Sequence, residues 1–85
     1  MMPAELVFAI ATAIVKQTHR VEVIPELTTE GTLLRLCVAP EDIGSMIGRD
    51  GRNARAIRTL LAGISKREGH RYLLDIAELE PVRAR

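Results

Sequence analysis

Aromatic side chains are almost absent from this 85-residue chain, which has one phenylalanine, one tyrosine and no tryptophan. Recognition-motif sheets and oligonucleotide-binding barrels rely on aromatic platforms on which bases stack. With only Phe8 and Tyr72 available, the chain has almost nothing from which to build such a platform. We therefore expect a binding surface that relies mainly on aliphatic, charged and backbone groups.

Reactive side chains are also few. Cys37 is the only cysteine, so neither an intrachain disulfide nor a cysteine-based metal site can form, and a reducing cytoplasm suits the chain. His19 and His70 stand apart, and the sequence has no paired carboxylates, zinc-ligand spacing or Walker-type loop. Because no set of residues fills the roles of a catalytic site, we expect no enzyme activity, no metal and no cofactor.

Long hydrophobic runs are missing too. The longest, residues 6–15, has ten residues, and a membrane-spanning helix needs about 20. Glu5 precedes the run, and Lys16 follows it without the small-residue cleavage pattern of a signal peptide. We expect a core helix here, no membrane insertion and a cytoplasmic location.

Positive charge is concentrated in one segment, although the net charge is only +1. Residues 49–67 carry six basic side chains and one acid, a local charge of +5, which leaves −4 on the rest of the chain. The basic residues are Arg49, Arg52, Arg55, Arg58, Lys66 and Arg67. Such a stripe favours a polyanionic partner, with nucleic acid as the leading candidate, and a solvated helix face is the alternative.

The first half of the chain shows helical and then strand periodicity. Apolar residues recur every three or four positions over residues 3–17, which predicts an amphipathic helix. Alternation of apolar and polar residues then predicts strands over residues 20–24 and 32–38. Pro25 is expected to end the pairing of the first strand, and residues 27–31 are expected to connect an antiparallel hairpin.

The second half predicts two helices and a strand. Pro40 and the two acids after it start a short helix that reaches only to Gly48, because proline and acids suit helix starts and glycine commonly ends helices. A longer helix begins at residue 51 or 52 and runs to about residue 68, with Leu60 among its core-facing residues. Alternation over residues 72–77 predicts a last strand.

The order helix, strand, strand, helix, helix, strand predicts a two-layer α+β domain, in which a three-stranded sheet is covered on one face by three helices. The two-helix connection allows the second and third strands to lie parallel. A chain this short buries only about 60–65% of its unfolded surface and supports one core. We therefore expect one domain over residues 1–80 and a flexible tail over residues 81–85.

Residues 48–51, with the sequence Gly-Arg-Asp-Gly, join the two predicted helices. The glycines let another backbone approach closely and accept positive φ. The first amides of the next helix and its positive dipole end should point into this space, which suits an anion. Arg49 adds a guanidinium fork for phosphate, and Arg52 and Arg55 extend the positive field.

Apolar residues bracket this turn. Ile43, Met46 and Ile47 precede it and Ile57 follows it, and we expect them to line an aliphatic groove for bases. Alone, a G-x-x-G sequence is a weak signal, because most such turns bind nothing. Its position between two helices and after a strand strengthens the prediction.

Three segments carry a family resemblance: VAPEDIG at residues 38–44, MIGRDGR at 46–52, and AIRTLL at 56–61, preceded by Ala54. Together they resemble the signature of small bacterial KH proteins of the KhpA family. The resemblance implies a type II KH domain, α-β-β-α-α-β, over nearly the whole chain.

The resemblance also implies a function. The turn would contact the backbone of single-stranded RNA over about four nucleotides, and the flanking helices and second strand would frame the bases. The implied RNA-binding residues are Gly48, Arg49, Asp50, Gly51, Arg52, Arg55, Ile43, Met46 and Ile47. It further implies an RNA-chaperone or post-transcriptional role, links to cell-wall synthesis and cell shape, and a homodimer or a heterodimer with a larger, KhpB-like KH protein.

Two features depart from the family pattern. Asp50 stands where a basic or neutral polar residue is more usual, and its carboxylate should repel phosphate unless it points away. The first helix is more apolar than the family pattern, and Phe8, Thr12 and Val15 form a second apolar strip that suits either a protein contact or core packing. The alternative function is therefore a protein-interaction or dimerisation module on a KH fold with weak RNA affinity.

Overall fold

The computed structural model describes residues 2–80 and has the predicted order of elements. These are α1 (Pro3–Ile14), β1 (Val21–Thr28), β2 (Gly31–Val38), α2 (Ile43–Ile47), α3 (Arg52–Glu68) and β3 (Tyr72–Glu78). Single 3-10 turns, Pro40–Asp42 and Arg49–Gly51, precede α2 and α3. The tail predicted for residues 81–85 lies outside the described residues.

The sheet has three strands in the order β1-β2-β3. β1 and β2 are antiparallel, with Val21 opposite Val38, and β2 and β3 are parallel, with Leu34 opposite Leu74. The predicted hairpin and the predicted parallel pair are both confirmed. Because β2 is central, β1 and β3 each have a free edge.

The core lies between one face of this sheet and the helices. The apolar side chains of β2 on this face are at most 1% exposed, which confirms the predicted alternation: Leu34, Leu36 and Val38. The helices contribute Val7, Ala11, Met46, Ile57 and Leu61. Leu60, predicted to face the core, is 50% exposed, so that prediction is wrong. The residues of α3 that contact the sheet form a narrower strip than the apolar residues of the helix do, and Leu60 lies beside that strip.

The ends of two elements differ from prediction. β1 continues to Thr28, and Pro25 lies inside it opposite Leu34, so the prediction that proline ends the pairing is wrong. An edge strand accommodates proline because the side of the strand that faces solvent has no ladder bond to lose. α1 stops at Ile14 rather than at about residue 17. Across residues 2–80 no helix combines the length and the apolar character needed to cross a membrane.

Asp42 explains where the chain leaves α1. Its side chain is buried, with 2% exposure. Its two carboxylate oxygens accept hydrogen bonds from the backbone N–H groups of Lys16, at 3.1 Å, and Gln17, at 3.0 Å. Asp42 was expected only to favour the helix dipole; it also fastens the α1–β1 connection to the start of α2.

Replacing Asp42 with alanine is expected to lower the free energy of unfolding by about 3 kcal/mol, because two part-buried amides lose a charged acceptor. Urea denaturation with linear extrapolation measures this change. The matched control is Glu41→Ala, since the Glu41 carboxylate is exposed and reaches only the Gln17 side-chain amide, at 3.4 Å. The control should change stability by less than about 0.5 kcal/mol. Equal losses in the two variants would contradict the assigned role of Asp42.

Candidate nucleic-acid interface

In the turn between α2 and α3, three of the four residues have backbone angles outside the right-handed helical region. Gly48 has φ 79° and ψ 171°, a region essentially restricted to glycine. Asp50, at φ 56°, and Gly51, at φ 75°, are left-handed. Aspartate is one of the few residues besides glycine that tolerates this conformation. The prediction that both glycines serve positive φ is confirmed.

Asn53 ties α3 to α2. Its side-chain Nδ2 donates to the carbonyl oxygen of Ser45, at 2.7 Å. A Cβ atom added to Gly48 would lie 2.9 Å from Cγ and from the backbone nitrogen of Asn53, which is too close. Gly48 is therefore needed both for its backbone angles and for this contact. Sequence reasoning missed Asn53, although a short amide side chain in the first turn of a helix was an available signal.

Two backbone amides at the tip of the turn have no partner in the part of the chain that the structure describes. The N–H of Gly51 donates to Gly48 O at 3.1 Å, and the N–H of Arg52 donates to Arg49 O. Within residues 2–80, the N–H groups of Arg49 and Asp50 donate to no carbonyl or side chain. We expected the first amides of the second helix to be unpaired; the amide of Arg52 is occupied, and the amides of Arg49 and Asp50 lie in the turn before the helix.

The arginines around the turn have different roles. Arg55 Nη2 donates to the carbonyl oxygen of Asp50, at 2.9 Å, so Arg55 holds the turn in place. Arg49 and Arg52 are exposed. Both ion pairs found within residues 2–80 use Arg35, so neither Arg49 nor Arg52 is neutralised by a carboxylate. Two charges are thus available to an anion at the turn.

A groove of about 510 Å³ opens beside the turn, between α3 and β3. Ile47, Ala54 and Arg55 line its helical side, and Asp75 and Ile76 line the strand side. The wall opposite the helices is therefore β3 and not the second strand. β2 cannot form it, because β2 is the central strand and both of its edges are paired.

Only part of the predicted aliphatic set reaches this groove. Ile47 is 40% exposed, and Ile43 is half-buried against the core. Met46 is fully buried and Ile57 is 2% exposed, so the prediction that they line an accessible groove is wrong. Their side chains fill the core beneath the turn, since they lie on the helix faces that contact the sheet.

Along the free edge of β3, backbone N–H and C=O groups point toward α3. The N–H of Tyr72 donates to Ser65 Oγ at 2.9 Å, and the carbonyl oxygen of Leu74 accepts from Arg58 Nη2 at 3.4 Å. Every second residue of a strand turns its backbone groups to the same side, so those of Ile76 point the same way as those of Tyr72 and Leu74. Among residues 2–80 its outward N–H and C=O have no partner, so they are open to a ligand in the groove.

The Cys37 side chain lies buried in β2. Burial, reinforced by the nearby Glu22 carboxylate, raises the pKa of the Cys37 thiol, as suits the predicted packing role. In the part of the chain from residue 2 to residue 80, no three His, Cys, Asp or Glu side chains converge as metal ligands would.

Comparison with known proteins identifies the family. The family model for the KH domain of KhpA and KhpB matches residues 4–76. The chain belongs to this KH-domain family. It is 42% identical to the RNA-binding protein KhpA of Caldanaerobacter subterraneus subsp. tengcongensis over 72 residues, which are 85% of this chain and 96% of the relative.

Other members of the KhpA/KhpB family are similarly close. Identity is 40% over 77 residues to the RNA-binding protein KhpA of Treponema pallidum, covering 91% of this chain and 96% of that one. It is 39% over 72 residues to the RNA-binding protein KhpA of Clostridium perfringens, with 85% and 96% covered. The resemblance read from residues 38–61 and the type II KH fold are confirmed, and the relatives are named for RNA binding rather than for a reaction.

The two glycines of the turn should differ in how they tolerate a side chain. Gly48→Ala is expected to lower the free energy of unfolding by about 3 kcal/mol, because it combines a glycine-only conformation with a clash. At Gly51 an added Cβ would meet only Arg55 Nη2, at 3.8 Å. Gly51→Ala should therefore lower the free energy of unfolding by only about 1 kcal/mol, because alanine is strained in a left-handed conformation.

Gly63 is the matched control for these two variants. It lies in the middle of α3, with nothing within 4 Å of an added Cβ. Gly63→Ala should raise stability by about 0.5–1 kcal/mol through helix propensity. Thermal or urea unfolding of the three variants checks the order. A Gly48→Ala protein as stable as Gly51→Ala would contradict the packing of Asn53 against Gly48.

Proposed function

We propose that this chain binds single-stranded RNA and holds its phosphate backbone at residues 48–51. The observation that carries the proposal is the pair of backbone amides on the exposed residues Arg49 and Asp50, which donate to no protein group within residues 2–80. Amides at such a concave turn bind anions, and the guanidinium groups of Arg49 and Arg52 supply the countercharge. Membership of a family whose relatives are named RNA-binding proteins supports RNA as the polyanion.

Bases would lie in the groove between α3 and β3. Ile47 and Ile76 offer apolar contacts there. The outward N–H and C=O of Ile76 offer one donor and one acceptor for a base edge, as splayed single-stranded bases require. Duplex RNA cannot present its base edges in this way, because they are paired.

Finer parts of the proposal follow from the family. We place the chain in the cytoplasm as an RNA chaperone or post-transcriptional regulator with a link to cell-wall synthesis and cell shape. A homodimer, or a heterodimer with a larger KhpB-like KH protein, belongs to the same proposal. The shared KhpA/KhpB family model supports the pairing, since partners with one fold can present matching surfaces.

A protein-interaction or dimerisation module is the second candidate function. Apolar side chains exposed on α1, β1 and α3 favour it: Phe8 is 44% exposed, Leu27 81% and Leu60 50%. None of these three residues lines the groove beside the turn.

Replacing Arg49 with aspartate should separate the two candidates. RNA affinity should fall at least about tenfold, because a charged hydrogen bond is worth about 1.5–3 kcal/mol. For the wild type, log affinity should fall with log salt concentration with a slope of roughly −2 to −3 if three or four phosphates are engaged. Fluorescence anisotropy with a labelled single-stranded RNA measures both quantities.

The control for Arg49→Asp is Arg67→Asp, which makes the same charge change at an exposed residue that does not line the groove. Its affinity should stay close to that of the wild type. A flat salt response, or equal affinities of the Arg49→Asp and Arg67→Asp proteins, would contradict the proposal and favour the interaction module.

Asp50 should weaken binding through its charge and support the turn through its backbone. Asp50→Asn removes the charge, keeps the left-handed preference, and should tighten RNA binding by about two- to fivefold. Asp50→Lys should also tighten binding, while losing about 1 kcal/mol of stability because lysine fits left-handed φ poorly. If Asp50→Asn binds like the wild type at low salt, the carboxylate points away from the RNA.

A further inference from the structure

A trough of about 600 Å³ lies between the second half of α3 and the first half of β3. On the helix, its lining residues lie at positions i, i+3, i+4, i+7 and i+8, which share one helical face: Arg58, Leu61, Ala62, Ser65 and Lys66. On the strand, Tyr72 and Leu74 line it. Ligand sites have volumes of about 300–1,000 Å³, so the trough is large enough to hold one.

The trough continues the groove beside the turn. Arg58 lines both, and α3 and β3 form the opposite walls of both. From Arg58 to Lys66 the helix rises by about 12 Å, at about 1.5 Å per residue. An extended strand that leaves the groove along α3 therefore enters the trough.

The rim of the trough is positively charged. Arg58, Lys66 and Arg71 contribute guanidinium and ammonium groups. Within residues 2–80 none of the three is held by a carboxylate, because both ion pairs there use Arg35. Glu68 is the acid beside the rim, and its carboxylate accepts a hydrogen bond from the Tyr72 hydroxyl at 3.0 Å.

Two rings lie at the far end of the trough in fixed positions. The His70 and Tyr72 rings meet edge to face, with centroids 4.9 Å apart and planes at 67°. His70 Nε2 lies 2.7 Å from Thr32 Oγ1. The Tyr72 backbone is held by Ser65, and its hydroxyl is held by Glu68. Of the two Phe, Tyr or Trp residues in the sequence, only Tyr72 lies along the path from the turn.

We propose that this trough is a second nucleotide subsite, in which RNA that leaves the four-nucleotide groove continues along α3, with phosphates on Lys66 and Arg71 and a base against Tyr72 and His70. The inference rests on the proposed RNA-binding function. Continuity through Arg58 and complementary charge favour nucleotides of the same strand as the occupant. Because bases of every kind stack on aromatic rings, the subsite adds affinity with little dependence on sequence.

Binding of short and long RNA tests the proposal. The probes are single-stranded RNAs of random sequence, four or ten nucleotides long, titrated by competition anisotropy. Lys66→Gln should make the log affinity versus log salt slope for the long RNA shallower by about 0.7, the value for one lost phosphate contact, and leave the short RNA unchanged. Arg67→Gln is the matched control, because Arg67 is adjacent and exposed but does not line the trough.

Tyr72 variants test the stacked base. Tyr72→Leu keeps apolar bulk and should lower the affinity for the long RNA at least about fivefold. Tyr72→Phe keeps the ring, and its affinity for the long RNA should stay within about twofold of the wild type. Both should bind the short RNA as the wild type does. Circular dichroism and thermal unfolding check that each variant is folded, and Lys66→Gln tests the subsite without touching the core.

The outcomes separate the two proposals. If the wild type binds neither RNA, the proposed function fails, and the subsite fails with it. If the wild type binds both, but Lys66→Gln and Tyr72→Leu bind the long RNA like Arg67→Gln, the subsite alone is overturned. Losses confined to the long RNA support the subsite.

Discussion

The candidate interface depends on the conformation of one residue, Gly48. Its backbone angles let α2 stop and α3 begin within four residues, and its missing side chain lets Asn53 reach the last turn of α2. The turn that follows uses the amides of Gly51 and Arg52 internally. The amides of Arg49 and Asp50, both exposed residues, have no partner within residues 2–80, so water can bond them when no ligand is present. An anion site at this turn therefore carries little desolvation cost when it is empty.

The free edge of β3 imposes a second constraint. Exposed strand edges invite pairing with other chains. Here α3 occupies two positions of this edge, since Ser65 bonds the Tyr72 amide and Arg58 bonds the Leu74 carbonyl. Ile76 is left open, beside the turn. The packing of α3 thus protects part of the edge and leaves backbone groups available where bases would lie.

The periodicity of apolar residues was sufficient to predict the order of elements, because a helix or strand that buries one face has its apolar residues at regular spacings. The errors came from tertiary context. Pro25 is tolerated because β1 is an edge strand, and Met46 is buried because α2 turns that side chain under the turn. Asp42 bonds an amide 25 residues away, and no local pattern reports such a contact. The G-x-x-G spacing located the site, but which amides are free depends on hydrogen bonds that only coordinates reveal.

The distribution of charge explains how an RNA ligand would be oriented. The basic residues follow the turn and α3, whereas Glu26 and Asp75 flank Arg35 and outnumber it on the sheet face away from the core. At physiological salt the screening length is about 8 Å, so a charge acts mainly on groups close to it. Asp75, which also lines the groove, is paired with Arg35, and the acidic face repels a polyanion that approaches from the sheet side. Orientation comes from the whole charge distribution, while affinity comes from contacts at the turn and along α3.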